Sequence, residues 1–418
     1  MSKLDKLLRE LCPDGVECVK LGTLCSLITK QTGFDYTNHI KARLLMEPAE
    51  NAVPYIQTKF FAGKNFNYQT DYYVPMDIVE QFPKITLDEK CILFSIVGAS
   101  IGNVGLFPGE RKCFLGGAIC VAKVLPQYDV DYVYYCVESH NVQHQIRRKT
   151  KGAGQATITV EDIREFEIPL PPIEIQSEIV RILDNFTNLT AELVKELTAR
   201  KTQYGYYRNK FLDFESSVSV KTIGDICDVV VGGEPPTDCI KGDVRDSTHI
   251  YPVWGNGKEV YGYSGTYKID RDAVVISSIG ANTGAVYYKE AFFTPIIRLK
   301  VILPKDNRIN ARFLFHALSG TTIKSKSSSV PNMNANEIKA IKIPVPPLDV
   351  QNRIVNVLDN FEKICSDLNI GLPAEIEARQ KQYEYYRDKL LTFAETGNTI
   401  LSRAEQSRAE QSRAEQSR

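Results

Sequence analysis

The apolar positions of the chain follow two patterns. Ile179, Ile182, Phe186, Leu189, Leu193 and Leu197, then Tyr204, Tyr207 and Phe211, recur at steps of three and four, the stripe of an amphipathic helix. About 40 residues at ~1.5 Å each make a rod of roughly 60 Å, too long to bury its stripe on one small domain. The pattern therefore predicts a partner helix, and Ile354, Val357, Phe361, Ile364 and Leu368, then Tyr383, Tyr386 and Leu390, supply one. Gly371, Leu372 and Pro373 should break or kink it. Elsewhere short β-branched and aromatic runs, such as CILFSIV at 91–97 and AVVISSI at 273–279, predict strands, with a turn at Asn256 and Gly257. One helix is expected in each such region, around 132–139 and 313–320.

These patterns occur twice because the chain repeats itself. Residues 163–186, IREFEIPLPPIEIQSEIVRILDNF, match 338–361, IKAIKIPVPPLDVQNRIVNVLDNF, at an offset of 175. ARKTQYGYYRNKFLDF at 199–214 matches ARQKQYEYYRDKLLTF at 378–393 at an offset of 179, so the second copy has gained about one helical turn. Successive prolines in IPLPP and IPVPP force an extended entry to each helix. Fainter correspondence precedes each block: Ser95, Gly98, Ala99 and Gly102 align with Ser277, Gly280, Ala281 and Gly284. The expected organisation is an N-terminal helix at 1–15, a variable unit at 16–162, a repeated block at 163–216, a second variable unit at 217–337 and a second block at 338–395. From 396 the SRAEQ pentamer builds neither stripe nor core, and a solvated tail is expected.

Composition narrows the function. Fifty-one basic residues balance 51 acidic ones, so bulk electrostatics gives no reason to bind nucleic acid; any such binding must be local. No long apolar run suggests a membrane span, and residues 1–10 are charged and amphipathic rather than signal-like, which predicts a cytoplasmic setting. The ten cysteines never form CxxC, so neither a zinc site nor a disulfide framework is expected. GNGK at 255–258 lacks the spacing and hydroxyl of a phosphate-binding loop, and no Asn/Asp-Pro-Pro-aromatic loop for amino methylation is present. His140 and His144 lie four apart on a predicted helix but have no counterpart in the second unit, so no metal site is assigned. The Gly-Ala-x-x-Gly segments read as tight turns, and the QYxYYR clusters as core packing rather than a base-stacking platform.

Two aligned polar loops remain. RRKTKGAGQATIT at 147–159 offers Arg147, Arg148, Lys149, Lys151 and Gln155, and KSKSSSVPNMNANE at 324–337 offers Lys324, Lys326, Asn332 and Asn334. Such mixtures suit phosphate positioning by Lys and Arg and base-edge reading by Gln or Asn. Lys59, Lys64 and Asn67 in the first unit, and Asn256, Lys258 and Asn282 in the second, complete the DNA-binding candidates.

Two variable units alternating with IPLPPIEIQ…LDNF…QYGYYRNK and IPVPPLDVQ…LDNF…QYEYYRDK resemble the DNA specificity (S) subunit of bacterial type I restriction-modification systems. The resemblance covers nearly the whole chain to about residue 395. It implies two α/β (α+β) target recognition domains joined by two long helices in an antiparallel coiled coil, the whole pseudo-twofold. It also implies a non-catalytic reader of bipartite double-stranded DNA, with one domain per half-site and the coil setting the spacer. Two methylation (M) subunits and restriction (R) subunits would be its partners. They would carry S-adenosylmethionine, ATP and Mg2+, and this chain would bind no cofactor. SKLDKLLREL at 2–11 echoes RDKLLTF at 387–393, as if the N-terminal helix completed the second coil in a pseudo-cyclic arrangement.

Overall fold

In the computed structural model of the chain, residues 3–150, 156–214, 218–243, 245–280, 282–319, 333–367 and 370–392 are described. The principal helices are α1 (Lys3–Leu11), α2 (Val130–Glu138), α3 (His140–Lys149), α4 (Ile173–Leu212), α5 (Ala311–Ser319), α6 (Leu348–Ser366) and α7 (Leu372–Leu391). Two compact units emerge: Met1–Ala191 with Ala378–Arg418, and Glu192–Glu377.

The first unit carries strands β1 (Cys18–Lys20), β2 (Cys25–Lys30), β3 (Ala52–Ile56), β4 (Tyr73–Pro75), β5 (Thr86–Leu87), β6 (Cys91–Ser95), β7 (Val104–Phe107), β8 (Cys113–Leu115), β9 (Ile119–Val124) and β10 (Glu167–Pro169). They form a sheet of order β2-β9-β6-β7, a sheet of order β4-β3-β8-β5 and a two-stranded ribbon of β1 with β10. β6 reads CILFS and is buried at every position, as expected of a strand covered on both faces. One core lies between the first sheet and the helices, with Tyr132, Tyr135, Ile175, Ile179 and Leu183; it also takes in Leu4 and Leu8 of α1 and Tyr383 and Leu391 of α7. The start of the chain and its last described helix thus share one apolar cluster within this unit. A second core, around Phe107 and Phe114, lies at the other sheet.

The second unit repeats this plan. Its strands are β11 (Val220–Thr222), β12 (Cys227–Val231), β13 (Ile240–Lys241), β14 (Tyr251–Trp254), β15 (Gly262–Ser264), β16 (Ala273–Ile276), β17 (Val286–Lys289), β18 (Thr294–Pro295), β19 (Lys300–Pro304) and β20 (Lys342–Pro344). The order β12-β19-β16-β17 and the pairing of β11 with β20 match the first unit, and in β13-β15-β14-β18 the three strands β15-β14-β18 match β4-β3-β8, while the fourth strand adds at the opposite edge, on β15 rather than on the counterpart of β8. In each unit one pair is parallel: β3 with β8, and β14 with β18.

α4 is a single helix of 40 residues, matching the length the stripe predicts. Its entry is set by Pro171 and Pro172, and a buried glutamine at the same place in each repeat fastens it. Gln176 donates to the Pro171 carbonyl (2.8 Å) and accepts from the Asp129 N–H (3.1 Å). Gln351 donates to the Pro346 carbonyl (2.8 Å) and accepts from the Asn310 N–H (2.9 Å). Each side-chain amide spans the gap between the proline segment and the start of α2 or α5, satisfying backbone groups that burial would otherwise leave unpaired.

The buried stripe differs from the predicted one by one position. Leu183 and Leu358 are fully buried, whereas Val357 is 39% and Leu189 49% exposed. The predicted stripe assumed a partner helix alone, but α2 and α5 also pack on α4 and α6 and draw the buried face towards themselves. The second coil does break at the predicted place: α6 ends at Ser366 and α7 begins at Leu372. A Cβ on Gly371 would stand 2.5 Å from the Lys363 carbonyl oxygen, so only glycine permits that close approach. Pro373 then falls in the first turn of α7, where a missing N–H costs nothing.

Candidate nucleic-acid interface

What positions each variable unit is a docking contact between its helix and the coil. In the first unit Asp184 of α4 accepts from the Tyr135 hydroxyl of α2 (2.5 Å) and pairs with Lys64, which also reaches Asp131 (2.8 Å). Lys90 pairs with Asp131 as well. Burial alone would raise the Asp131 carboxyl, but Lys64 and Lys90 hold it below the ordinary carboxylate range. Glu138 accepts from the hydroxyls of Tyr134 (2.9 Å) and Tyr383, and Asp388 of α7 accepts from the His140 N–H (2.9 Å).

In the second unit the corresponding aspartate, Asp359, meets different chemistry. His316, at the place of Tyr135, has Nε2 2.7 Å from Asp359 and Nδ1 3.2 Å from the Tyr204 hydroxyl. Arg312, at the place of Asp131, donates to Asp359 (2.8 Å) and to Glu362. Burial pushes the His316 imidazole below its ordinary value, outweighing the opposite pull of Asp359. His316, Asp359 and Glu362 are the one group among the described residues whose donor atoms converge within 4.8 Å as a metal's would. The Arg312 guanidinium already bridges both carboxylates, so the cluster works as an ion-paired dock. The LDNF aspartate is thus common to both docks, while the partner residues differ. The doubling of LDNF in the sequence was a usable signal for the aspartate; nothing local marked its partners.

The DNA-binding candidates separate into three groups. Arg147 and Arg148 are exposed on the last turn of α3, while Lys149 reaches back to the Asp162 carbonyl (3.4 Å) and lies over the Phe166 ring. Lys258 is exposed between β14 and β15, and Asn282 is exposed in the turn between β16 and β17. That turn, like its counterpart at Gly98–Ser100, is a tight strand connection with Gly280 and Gly284 at positive φ, and the Gly98 N–H is taken by the Ala156 carbonyl.

A second group is engaged within the fold. Lys64 belongs to the first dock, and exposed Lys59 pairs with Asp71. Asn67 accepts from the Gln69 N–H (2.9 Å). Asn256 accepts from the Ser278 N–H (2.7 Å) and donates to the Ile297 carbonyl. Asn334 caps the short helix Ala335–Lys339, accepting from the Glu337 N–H (2.9 Å). The third group, Lys151, Gln155, Lys324, Lys326 and Asn332, lies outside the described residues.

The two units therefore share one plan of sheets, glutamine anchors and docks. A family model described as the type I restriction modification DNA specificity domain matches twice, at residues 13–200 and 215–378. The chain belongs to that family. Among its relatives, the specificity subunit of the type I restriction enzyme EcoR124I/EcoR124II of Escherichia coli is 36% identical over 258 residues, 55% of this chain and 63% of that protein. Two putative type I specificity subunits of Mycoplasma pneumoniae are 31% identical over 241 residues (56% of this chain, 65% of that protein) and 34% identical over 257 residues (57% and 76%). The matches to the first two relatives thus span slightly less than two thirds of their length.

Among solved structures, the S subunit of the type I restriction-modification system from M. genitalium aligns with a TM-score of 0.55 at 18% identity, over 92% of this chain and 98% of that one. A chain from work on complex assembly and conformational transition of the type I R-M system aligns at 0.59 and 15% identity, over 91% and 98%. At such identities the shared property is the specificity-domain fold: two α/β units and a long helix, α4, which stacks Phe186 on Tyr386 of α7 in the first unit and Tyr207 on Phe361 of α6 in the second, as in a coiled coil. Among the described residues no helix is long and apolar enough to cross a membrane.

Proposed function

We propose that this chain is the sequence-reading subunit of a type I restriction-modification complex, taking double-stranded DNA as its ligand and performing no chemistry itself. The observation that carries the reading is the doubling: one sheet plan, one glutamine anchor and one docking aspartate occur twice, as a reader of two half-sites requires. Residues 16–162 and 217–337 act as the two target recognition domains. Residues 163–216 and 338–395 act as the spacer and 1–15 closes the cycle; the SRAEQ repeats from 396 lie outside the described residues. Two methylation subunits and the restriction subunits are the partners, in the cytoplasm, and S-adenosylmethionine, ATP and Mg2+ bind to them. Exposed Arg147 and Arg148 are suited to phosphate contact, where each neutralised phosphate adds about 0.9 to the salt slope of B-DNA binding.

Single-molecule methylome sequencing with and without this gene tests the proposal. A bipartite methylated motif should vanish with the gene and return on complementation. Methyl transfer from labelled S-adenosylmethionine by the purified chain alone would refute the non-catalytic role.

A further inference from the structure

The same ledge in both units carries a feature outside the DNA-binding candidates above. Strand pairing fixes the correspondence: Tyr55 and Ile56 lie beside Phe114 and Leu115, as Val253 and Trp254 lie beside Thr294 and Pro295. The residues that follow, Gly116–Gly117–Ala118 in the first unit and Ile296–Ile297–Arg298 in the second, therefore occupy equivalent positions. A second pair of contacts agrees: the Ala118 carbonyl accepts from the Ile96 N–H (3.0 Å), and the Arg298 carbonyl from the Ser278 hydroxyl (2.7 Å).

In the first unit the ledge is a recess. A concavity of about 310 Å³ is lined by Tyr36, Tyr55, Gln57, Thr58 and the two glycines. The Tyr55 hydroxyl accepts from the Gly117 N–H (3.3 Å) and donates to Tyr36 (3.4 Å), which leaves the Thr58 hydroxyl and the longer, more flexible Gln57 amide as the polar groups of the rim. In the second unit the ledge projects. Ile297 (φ 52°) and Arg298 (φ 59°) are consecutive non-glycine residues in the left-handed region, and both are exposed. Five hydrogen bonds hold them there. The Ile297 and Arg298 N–H groups donate to the Gly233 and Gly232 carbonyls (2.8 and 3.0 Å). Asn256 donates to the Ile297 carbonyl, while buried Ser278 and Lys300 both donate to the Arg298 carbonyl. Strain kept by several bonds, two of them from buried side chains, and spent on presenting an arginine to solvent is the pattern of a working residue.

We propose that this ledge is a base-reading point in both units, with Gln57 reading an adenine in one half-site and Arg298 a guanine in the other. The proposal rests on the DNA-reading role above. The chemistry is that of the major groove, where a glutamine amide matches the N6 and N7 edge of adenine and a guanidinium the O6 and N7 edge of guanine. Ile297 beside Arg298 offers an apolar contact for a neighbouring thymine methyl.

Methylome sequencing of strains carrying Arg298→Gly or Gln57→Ala in the complete system tests it. Arg298→Gly should relax one guanine position of one half-site by roughly tenfold or more, leaving the other half-site and the spacer intact. Because glycine removes the φ strain, the melting temperature should not fall. Gln57→Ala should relax one adenine position of the opposite half-site. If a variant abolishes methylation, selection of bound duplexes from a random library decides: a relaxed position supports the proposal, an unchanged preference overturns it. Full methylation of an unaltered motif by both variants overturns the ledge alone. A parent strain with no motif dependent on this chain overturns both the ledge and the DNA-reading role.

Discussion

Inserting four residues into α4 after Leu193 should lengthen the spacer of the recognised sequence and leave both half-sites as they are. α4 runs without a break from residues 173–191 in the first unit to 192–212 in the second, so an insertion there is transmitted along a continuous hydrogen-bonded rod. Four residues add about 6 Å of rise and turn the helix by about 40° beyond a full revolution. On B-DNA, with about 3.4 Å of rise and roughly 34° of twist per base pair, those displacements correspond to about two base pairs by length and about one by rotation. Rise and twist thus agree on a spacer longer by one or two base pairs, where an insertion of two residues would rotate the stripe to the wrong face. Methylome sequencing of the edited strain reads both quantities at once. An altered half-site with an unaltered spacer would refute the reasoning.

Two further expectations concern stability. His316 is buried with its imidazole below the ordinary value, facing Tyr204, Arg208, Arg312, Asp359 and Glu362. The unfolded chain then binds the proton first, so stability is complete above about pH 6.5 and declines as pH falls below it, levelling once the folded-state value is passed. Glu362, which burial pushes up, acts in the opposite sense nearer the carboxylate range. Thermal melts between about pH 7.5 and 6 should show the decline, and His316→Gln should flatten it; an identical slope in the variant counts against the assignment. Gly116→Ala should cost about 1–3 kcal/mol, because its Cβ would stand 2.2 Å from the Ile56 carbonyl oxygen. Gly117→Ala, whose nearest neighbour is the movable Gln31 amide at 3.3 Å, should be near neutral. Urea melts compare the two, and equal midpoints would reject the steric argument.

The sequence by itself determined the elements whose causes are local. The doubled proline segments, the 40-residue helix after the first of them, the stop before Leu372, the helices near 132–139 and 313–320 and the strands within 91–97 and 273–279 follow from φ restriction, missing donors and period, all written within a few residues, whereas the first unit adds a second helix, α3, where one was expected. Tertiary structure decided which face is buried and which polar side chains are free. Leu183 and Leu358 went inward because a second helix packs beside the coil. Lys64, a DNA-binding candidate by sequence, meets Asp184, 120 residues away, and Asn334, another candidate, caps a helix. Arg298 carries no mark in its neighbourhood of the chain; its presentation depends on Asn256, Ser278 and the Gly232 and Gly233 carbonyls arriving from separate strands and loops. A charge or amide takes its role from the partners that the fold brings to it, and those partners lie far off in sequence, beyond the reach of any local pattern.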